Sequence, residues 1–312
     1  KLMQKITGKV ELLVAVLLFV ELFLTVERLP WFTALNTITT NKRGEVILIN
    51  LIALPCLCVD VFDGTDEMHA GGEALNFAVH SSRFEEINVS LLGAVGQDSY
   101  AEFIMKSISG KKIDVSHVRI EKDMVTANNR TYLTKDGDRY YKEDSWTGDI
   151  VDKMILNQDE LELIRAADVV FVHFWAGCFR QIIELKKTSH FKLAVDFDTC
   201  RDFNDMEKYA PYIDYFMISG EESLLPIFEE WSKKYSGLFN MSLAEKGSVT
   251  FNKGNYYHVP AKDVKVIVDT TGCGDSYHAG FVCSHMMNED IYEAMRIGTE
   301  FATETLSHFG GF

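Results

Sequence analysis

The stretch that decides the fold is "DTTGCGDSYHAGF", which runs from Asp269 to Phe281. It follows the apolar run Val264–Val268, which favours a strand, and it leads into a pattern typical of a helix. A strand, a glycine-rich loop and a helix that begins near Asp275 are therefore predicted. The first turn of such a helix offers unpaired amides and a partial positive charge, which suit a phosphate group.

Asp275 has two interpretations on spacing alone. Its carboxylate could accept a proton from a hydroxyl while the amides of the loop hold a phosphoryl group. It could equally cap the helix, which is a common role of Asp. Gly272 and Gly274 let backbone approach a ligand closely in either case, so the spacing favours neither interpretation.

The composition limits the partners and the compartment. The chain has 312 residues and a formal net charge of −15, which argues against nucleic acid because such proteins need a basic surface. Cys56 and Cys58 form a C-x-C pair, and no second pair follows at zinc spacing. Six reduced thiols in a cytoplasmic protein are therefore expected.

Two kinds of ligand site are disfavoured by the absence of their sequence motifs. Neither G-x-x-x-x-G-K-[ST] nor G-x-G-x-x-G occurs, which disfavours P-loop and Rossmann nucleotide sites. H-E-x-x-H is also missing, and His173, His278 and His308 are expected to be packing or surface histidines.

Residues 1–45 form an N-terminal extension of open role. A basic start and the apolar run Leu12–Val20 are similar to a signal or anchor segment. Glu11 and Glu21 bound that run, which is too short to span a bilayer as a helix. A membrane or targeting role stays open, but an extra helix that packs on the body or on another subunit is favoured, and membrane association is not expected.

From Glu45 onward, apolar strand-like runs alternate with helical patterns. This rhythm predicts an α/β fold with a doubly wound, mostly parallel sheet flanked by helices, and ligands at the carboxyl ends of its strands. The segment Val125–Glu143 departs from the rhythm, because it alternates in hydrophobicity around Asp136-Gly137 and so predicts a β-hairpin.

The hairpin is expected to join a small sheet with chain from about 62–70 and to cover a ligand, because two strands alone are marginal in water. Asn128 and Arg130 lie two positions apart and so share one face. That face either reaches a substrate or is solvated. A second subunit is expected to pack on the same small sheet.

Several segments resemble PfkB-type carbohydrate kinases, which have the ribokinase-like fold. Asp269–Phe281 resembles the C-terminal signature of that family. The other segments that agree in order and spacing are AGGEALNFA (Ala70–Ala78), GAVGQD (Gly93–Asp98), SGEE (Ser219–Glu222) and SLAEKG (Ser242–Gly247). The resemblance implies one kinase domain over 46–312, with a β lid at about 62–70 and 125–143.

The resemblance also implies the roles of individual residues in ATP- and Mg²⁺-dependent transfer of a phosphoryl group to a sugar. Asp275 is then the catalytic base, and the amides of Gly272, Cys273 and Gly274 form an anion hole. The implied sugar-binding residues are Asp60, Gly71, Gly72 and Asn76. Ser219, Ser242, Ala244 and Gly247 would lie against the nucleotide, and Glu222 would support the metal.

Some positions depart from the family pattern. The Gly-Asp at the end of the first strand is Pro55-Cys56 here, and an Asn of the metal motif is Ser219. The first glycine of the nucleotide loop is Ala244, which fits the loop only if its φ is negative. Pro55 indicates an edge strand or a distortion. These departures keep a catalytically silent sugar- or nucleotide-binding regulator open as an alternative to a kinase.

The substrate is indicated by softer similarities. Residues 136–175 and the ending His308–Phe312 are most similar to the fructoselysine 6-kinases, a branch of the family that phosphorylates a glycated amino acid. A fructose-like sugar phosphorylated on a primary hydroxyl is therefore expected, and a ribokinase- or fructokinase-like sugar specificity is the alternative.

Overall fold

The computed structural model describes residues 48–64, 67–133, 139–140 and 142–312. The expected N-terminal helix or anchor and the expected turn at Asp136-Gly137 lie outside these residues. Within the described part of the chain, none of the helices is long and apolar enough to cross a membrane.

Strands and helices alternate along most of the described chain. The strands are β1 (Ile49–Leu54), β2 (Cys58–Phe62), β3 (Met68–Gly71), β4 (Ile87–Gly96), β5 (Ile113–Glu121), β6 (Asn128–Leu133), β7 (Arg139–Tyr140), β8 (Trp146–Thr147), β9 (Val169–His173), β10 (Lys192–Asp196), β11 (Tyr215–Ser219), β12 (Leu238–Ser242), β13 (Ser248–Asn252) and β14 (Asn255–Val259). The helices are α1 (Glu73–Ser81), α2 (Ser99–Ser107), α3 (Asp149–Asp152), α4 (Gln158–Ala166), α5 (Phe179–Lys186), α6 (Phe203–Tyr209), α7 (Leu225–Lys234), α8 (Cys273–Asn288) and α9 (Ile291–Thr305).

The larger sheet has nine strands in the order β14-β13-β12-β11-β10-β9-β1-β4-β5. All neighbours from β12 to β5 are parallel, and β13 and β14 add an antiparallel ribbon at one edge. The parallel strands are apolar because helices cover them on both faces. The predicted doubly wound, mostly parallel sheet is confirmed.

Two hydrophobic cores lie on the two faces of this sheet. Successive residues of a strand point to opposite faces, so β1 sends Leu51 to one core and Ile52 to the other. Helices α4, α5, α6 and α7 cover the Ile52 face, and α1, α2, α8 and α9 cover the Leu51 face. The helix that carries Asp275 thus packs beside α1, the helix that carries Asn76.

A smaller sheet of five strands stands apart from the larger one in its hydrogen bonding. Its order is β3-β2-β6-β7, and β8 pairs with the other part of β6. Strands β6 and β7 are antiparallel, which confirms the predicted hairpin pairing. The hairpin joins β2 and β3, so the expected small sheet with chain from this region is also present.

Two expectations for the backbone need correction. Val264–Val268 is not a strand: Val266 and Ile267 are 69% and 59% exposed, and the Val268 amide donates to the Leu306 carbonyl at the end of α9. Apolar composition predicted a strand there, but little burial is available to drive pairing. Pro55 is not on an edge strand, because β1 lies between β4 and β9. It follows the last ladder residue, where the chain leaves the larger sheet.

Candidate active site

Polar and titratable side chains gather at the carboxyl ends of neighbouring parallel strands, and Ser219 and Ser242 are the predicted site residues among them. Cys56 follows β1, and His173, Asp196, Ser219 and Ser242 end β9, β10, β11 and β12. Strand β1 has β4 on one side and β9 on the other. The chain first adds β4 and β5 on one side of β1 and later adds β9 to β14 on the other side, so the strand order reverses between β1 and β9. Open α/β sheets bind ligands in the crevice at such a point.

The glycine-rich loop forms the N-terminus of α8. Gly272 is the residue that precedes the helix, with a left-handed φ of 72° that favours glycine. The Cys273 amide donates a long hydrogen bond of 3.3 Å to the Thr270 carbonyl. A Cβ on Gly274 would meet nothing within 4 Å, so the first turn opens onto free space. Amides at such a turn have no partner within the helix and can hold an anion.

Asp275 lies inside the first turn of α8 and is not its cap. Its Oδ2 accepts a hydrogen bond of 2.8 Å from Asn76 Nδ2, which reaches across from α1. Burial, and after it the charges of Glu73 and Asp196, raise the pKa of Asp275 to about 8, against the donation from Asn76 and the charge of His278. A carboxyl group whose pKa is close to the working pH is well suited to general base catalysis.

His278 and Asp196 form a buried pair behind Asp275. His278 Nδ1 lies 3.3 Å from Asp196 Oδ2, and the two side chains are 1% and 7% exposed. Burial lowers the pKa of His278, but the Asp196 carboxylate outweighs it and the pKa is raised. Burial likewise raises the pKa of Asp196, and the His278 charge turns the net shift downward. His278 therefore acts on the charge at Asp275, a role that its expected assignment as a packing residue missed.

The predicted sugar-binding residues converge on Asn76. A Cβ built on Gly71 would lie 3.6 Å from Asp60 Oδ2 and 3.8 Å from Asn76 Oδ1, which places both side chains around this glycine. Gly72 has a φ of 102°, and a Cβ there would lie 2.7 Å from the Cys56 carbonyl oxygen. Only glycine fits such a position, so the pair of glycines lets α1 begin directly against the end of β1.

The smaller sheet presents one face with Asp60 and a second face with Asn128 and Arg130. In the register of the sheet Asp60 pairs with Asn129 on β6 and with His69 on β3, and paired residues share a face. Asn128 Nδ2 donates to the Thr126 carbonyl at 3.0 Å, and Arg130 Nη1 to Asp63 Oδ1 at 3.1 Å. Asn129 was missed by the sequence analysis, although the same alternation places it on the other face.

The C-terminal segment packs against α1 and the glycine-rich loop. Asp269 Oδ1 accepts from the Thr271 amide at 3.0 Å, and Oδ2 accepts from the Gly310 amide at 2.8 Å. His80 Nε2 donates to the Gly311 carbonyl at 2.7 Å, and a Cβ on Gly311 would come within 2.4 Å of Asn76 Oδ1. The C-terminal residues His308–Phe312, which the sequence analysis used only as an indication of the substrate, thus contact both α1 and the glycine-rich loop and help to position them.

The predicted nucleotide residues follow β11 and β12. Ser219 and Ser242 face each other across these strands, with Oγ atoms 3.3 Å apart. Gly247 has a φ of 90°, and its Cβ would lie 2.1 Å from the Val259 carbonyl oxygen. Ala244 has a φ of 49°, so the condition of a negative φ is not met and the alanine is strained where glycine would be free.

Glu222 follows β11 on an exposed turn. Its side chain is 60% exposed and forms an ion pair of 2.5 Å with Lys246 Nζ in the turn after β12. Carboxylate and hydroxyl oxygens are the ligands that Mg²⁺ prefers, and Glu222 can reach solvent-borne Mg²⁺ because it is exposed. The residues at the ends of β11 and β12 therefore fit a magnesium–nucleotide complex.

Comparisons with known proteins agree with this geometry. Residues 59–311 match the pfkB family carbohydrate kinases. A fructoselysine 6-kinase of Shigella flexneri is 26% identical over 261 residues, which cover 82% of this chain and 96% of that protein. A fructosamine kinase of Bacillus subtilis (strain 168) is 25% identical over 272 residues, which cover 85% and 93%.

A similar fold is found among solved structures. The structure of Arabidopsis thaliana ribokinase complexed with ribose and ATP superposes with a TM-score of 0.70 at 17% identity, covering 85% of this chain and 94% of that one. The chain belongs to the pfkB family of carbohydrate kinases. It is a phosphotransferase with the ribokinase-like fold, and it acts on a sugar hydroxyl.

Proposed function

We propose that this kinase transfers the γ-phosphoryl group of ATP to a primary hydroxyl of a fructose-like sugar, and that the natural sugar is fructoselysine or a closely related glycated amine. Asp275 is the base that accepts the proton of the attacking hydroxyl. The observation that carries the proposal is the position of its carboxylate, held by Asn76 at the open first turn of α8.

The residues around Asp275 divide the work of the reaction. Asp60 and Asn76, together with backbone of Gly71 and Gly72, orient the sugar so that its hydroxyl meets the Asp275 carboxylate. Amides of Gly272, Cys273 and Gly274 hold the transferring group and stabilise the charge that develops on its oxygens. Since phosphoryl transfer depends mainly on positioning and charge neutralisation, this division supplies most of what the step needs.

The nucleotide and the metal are assigned to the adjacent strand ends. The residues that contact ATP are Ser219, Ser242, Ala244 and Gly247. Glu222 supports Mg²⁺ once its carboxylate has released Lys246. When bound, Mg²⁺ neutralises charge on the phosphates. The ribokinase fold relative with bound ATP supports the use of this nucleotide.

A glycated amine suits the charge of the site. Glu73, Asp196, Asp198 and Asp275 lie near one another, since burial and then neighbouring carboxylates raise the pKa values of both Asp198 and Asp275. A substrate with a protonated secondary amine next to the sugar would relieve this repulsion. Neutral sugars such as ribose would not. The fructoselysine and fructosamine kinases among the relatives support the same substrate class.

The role of Asp275 is tested by Asp275→Asn. The amide keeps the size of the side chain and can still accept from Asn76, but it cannot take a proton. We expect kcat to fall by roughly two to four orders of magnitude, with sugar and ATP affinities nearly unchanged in calorimetry. Asp159→Asn, an exposed position in α4, is the control. A turnover within a few fold of the unchanged enzyme would remove Asp275 from this role.

The sugar is tested by a competition between substrates. Purified enzyme with ATP and Mg²⁺ is assayed on fructoselysine, fructose and ribose under one set of conditions. We expect kcat/KM to be at least about 10-fold higher for fructoselysine, because one ionic contact to the amine is worth about 1.4 kcal/mol. A preference for ribose or fructose would contradict the substrate assignment and leave the base assignment standing.

A further inference from the structure

A second group of side chains with metal-binding chemistry lies beside the catalytic base. The Cys56 Sγ, a Glu73 carboxylate oxygen and a ring nitrogen of His173 all lie within 4.8 Å of one another. Cys56 and His173 are 2% and 5% exposed, and Glu73 is half-buried. The phosphoryl-transfer steps proposed above use none of these three side chains as a base or a ligand, although the charge of Glu73 acts on Asp275.

His173 gives an independent indication that a ligand belongs here. Neither of its ring nitrogens has a hydrogen-bond partner in the described part of the chain, although the ring is almost fully buried. Buried polar atoms are nearly always satisfied, and an unsatisfied one costs about 1–3 kcal/mol. An imidazole that faces a thiol and a carboxylate with its nitrogens free is poised to coordinate.

The fold brings the three side chains together by strong local constraints. Cys56 and His173 stand at the ends of adjacent strands β1 and β9, in the crevice where the strand order reverses. Gly72 packs on Cys56 so closely that a Cβ there would lie 3.0 Å from Sγ, and the Leu75 amide donates to the Cys56 carbonyl at 3.2 Å. These contacts hold the start of α1, and with it Glu73, against the strand ends.

We propose that Cys56, Glu73 and His173 form a site for one transition-metal ion of the Zn²⁺ class, with a fourth position open to water. Sulfur, nitrogen and carboxylate oxygen are the ligands of Zn²⁺, whereas a sulfur ligand disfavours Mg²⁺ and Ca²⁺. Ligand atoms around a tetrahedral zinc ion lie roughly 3.5 Å apart, so side-chain rotations of about 1 Å complete the site. The Cys56 thiol loses its proton to solvent as the sulfur–metal bond forms.

Metal binding here would reach the sugar site through α1. Glu73 is the first residue of that helix and Asn76 is one turn further along. An ion that holds Glu73 therefore fixes the helix whose side chain holds the catalytic base. This proposal stands independently of which sugar is phosphorylated.

The test uses cobalt as a coloured substitute for zinc. Full-length protein is freed of metal with a chelator and titrated with Co²⁺. We expect one equivalent to bind with a thiolate-to-cobalt charge-transfer band in the near ultraviolet and with intense visible bands of four-coordinate cobalt. Excess Zn²⁺ should abolish both sets of bands, and Mg²⁺ at millimolar concentration should not.

Variants assign the spectrum to the three residues. Cys56→Ser should remove the charge-transfer band, and His173→Gln should weaken Co²⁺ binding by at least about 10-fold. Cys178→Ser is the matched control, since Cys178 is an equally buried free thiol in the core on the Ile52 face. It should leave the spectrum and the affinity unchanged. Circular dichroism establishes that each variant is folded.

Three results would overturn the proposal. The first is the absence of a charge-transfer band in the unchanged protein, and the second is its survival in Cys56→Ser. The third is binding that has no sulfur band and is lost in Asp196→Asn, which would move the ion to the Asp196, Asp275 and His278 group. If Cys56→Ser does not fold, Glu73→Gln is used to test the proposal, because a half-exposed side chain tolerates substitution. The proposal then requires that Glu73→Gln lowers the affinity for Co²⁺.

Discussion

The buried carboxyl group of Asp275 carries a cost to stability. The folded protein holds the proton of this carboxyl group up to a pH of about 8, whereas an unfolded chain releases it near 3.8. Because the folded state binds more protons between these values, the free energy of unfolding falls as the pH rises through this window. The same burial that raises the pKa of the group therefore works against the fold at neutral pH.

Asp275→Asn should accordingly be more stable than the unchanged enzyme above a pH of about 5. We expect the advantage to grow by about 3–4 kcal/mol between pH 5 and pH 8, since the amide needs no ionisation. Urea unfolding at several pH values between 5 and 8 measures it. A constant difference across that range, or a less stable variant at pH 8, would contradict the raised pKa.

Ala244 offers a second test at the scale of one residue. Its φ of 49° is a left-handed conformation that costs a non-glycine residue roughly 1–2 kcal/mol. Ala244→Gly should stabilise the protein by about 0.5–1 kcal/mol, after the extra chain entropy of glycine is subtracted. Ala167→Gly is the control, because Ala167 has a φ of −72° and should lose stability. Equal losses in both variants would show that the strain at Ala244 is relieved in solution.

At the scale of elements, the register of the smaller sheet decides which side chains share a face with Asp60. Because Asp60 on β2 pairs with Asn129 on β6, these two side chains lie on the same face of the smaller sheet. The Oδ1 atom of Asn129 is buried and has no hydrogen-bond partner in the described residues. The alternation in the sequence indicates instead the other face, with Asn128 and Arg130, and a substrate contact of these two residues stays a prediction.

The two faces can be compared directly by substitution. We expect Asn129→Ala to raise the KM for the sugar by about 10-fold and to leave the KM for ATP unchanged. A tenfold change in affinity corresponds to about 1.4 kcal/mol, which is the size of one lost hydrogen bond to the sugar. The double variant Asn128→Ala with Arg130→Ala is assayed beside it. A larger rise in the double variant would return the sugar contact to the face first predicted.

The elements that could be predicted from the sequence are those with local signals. The alternation of apolar runs with helical patterns predicts the larger sheet, and the start of α8 follows from its glycines and Asp275. Val264–Val268 failed as a strand because composition reports apolar character and not the presence of a neighbouring strand. Interior strands have that neighbour, whereas this segment pairs with none of the strands in the described residues.

The parts of the site that sequence could not give depend on distant partners. The Gly310 amide donates a hydrogen bond to Asp269, and the Cys56 thiol lies within 4.8 Å of a His173 ring nitrogen. Both contacts depend on the packing of many elements. A motif shows that a glycine or an acid is present, but the charge of its surroundings is a property of the folded chain. The pKa of Asp275 is the main example, since Glu73, Asp196 and His278 come from three different elements.

At the scale of the whole molecule, residues 48–312 contain both sheets and all proposed site residues. We expect a chain that lacks residues 1–47 to keep kcat and KM within about 2-fold and its midpoint of thermal unfolding within a few degrees. The kinase assay and calorimetry on both lengths measure this, and a shorter deletion of residues 1–20 serves as a control for expression. A loss of activity on removing 1–47 would extend the catalytic domain beyond its predicted start at 46.

The hydrogen bond between Asn76 and Asp275 has a consequence for synthesis on the ribosome. The two residues are 199 positions apart, and His80 and Gly311 are 231 apart. At about 5–20 residues per second, roughly 10–40 s pass between the translation of Asn76 and that of Asp275. A nascent chain can pair β1 with β4 during that time, but it still lacks the residue proposed here as the base. We therefore expect ribosome-bound chains that stop before Asp275 to show no kinase activity.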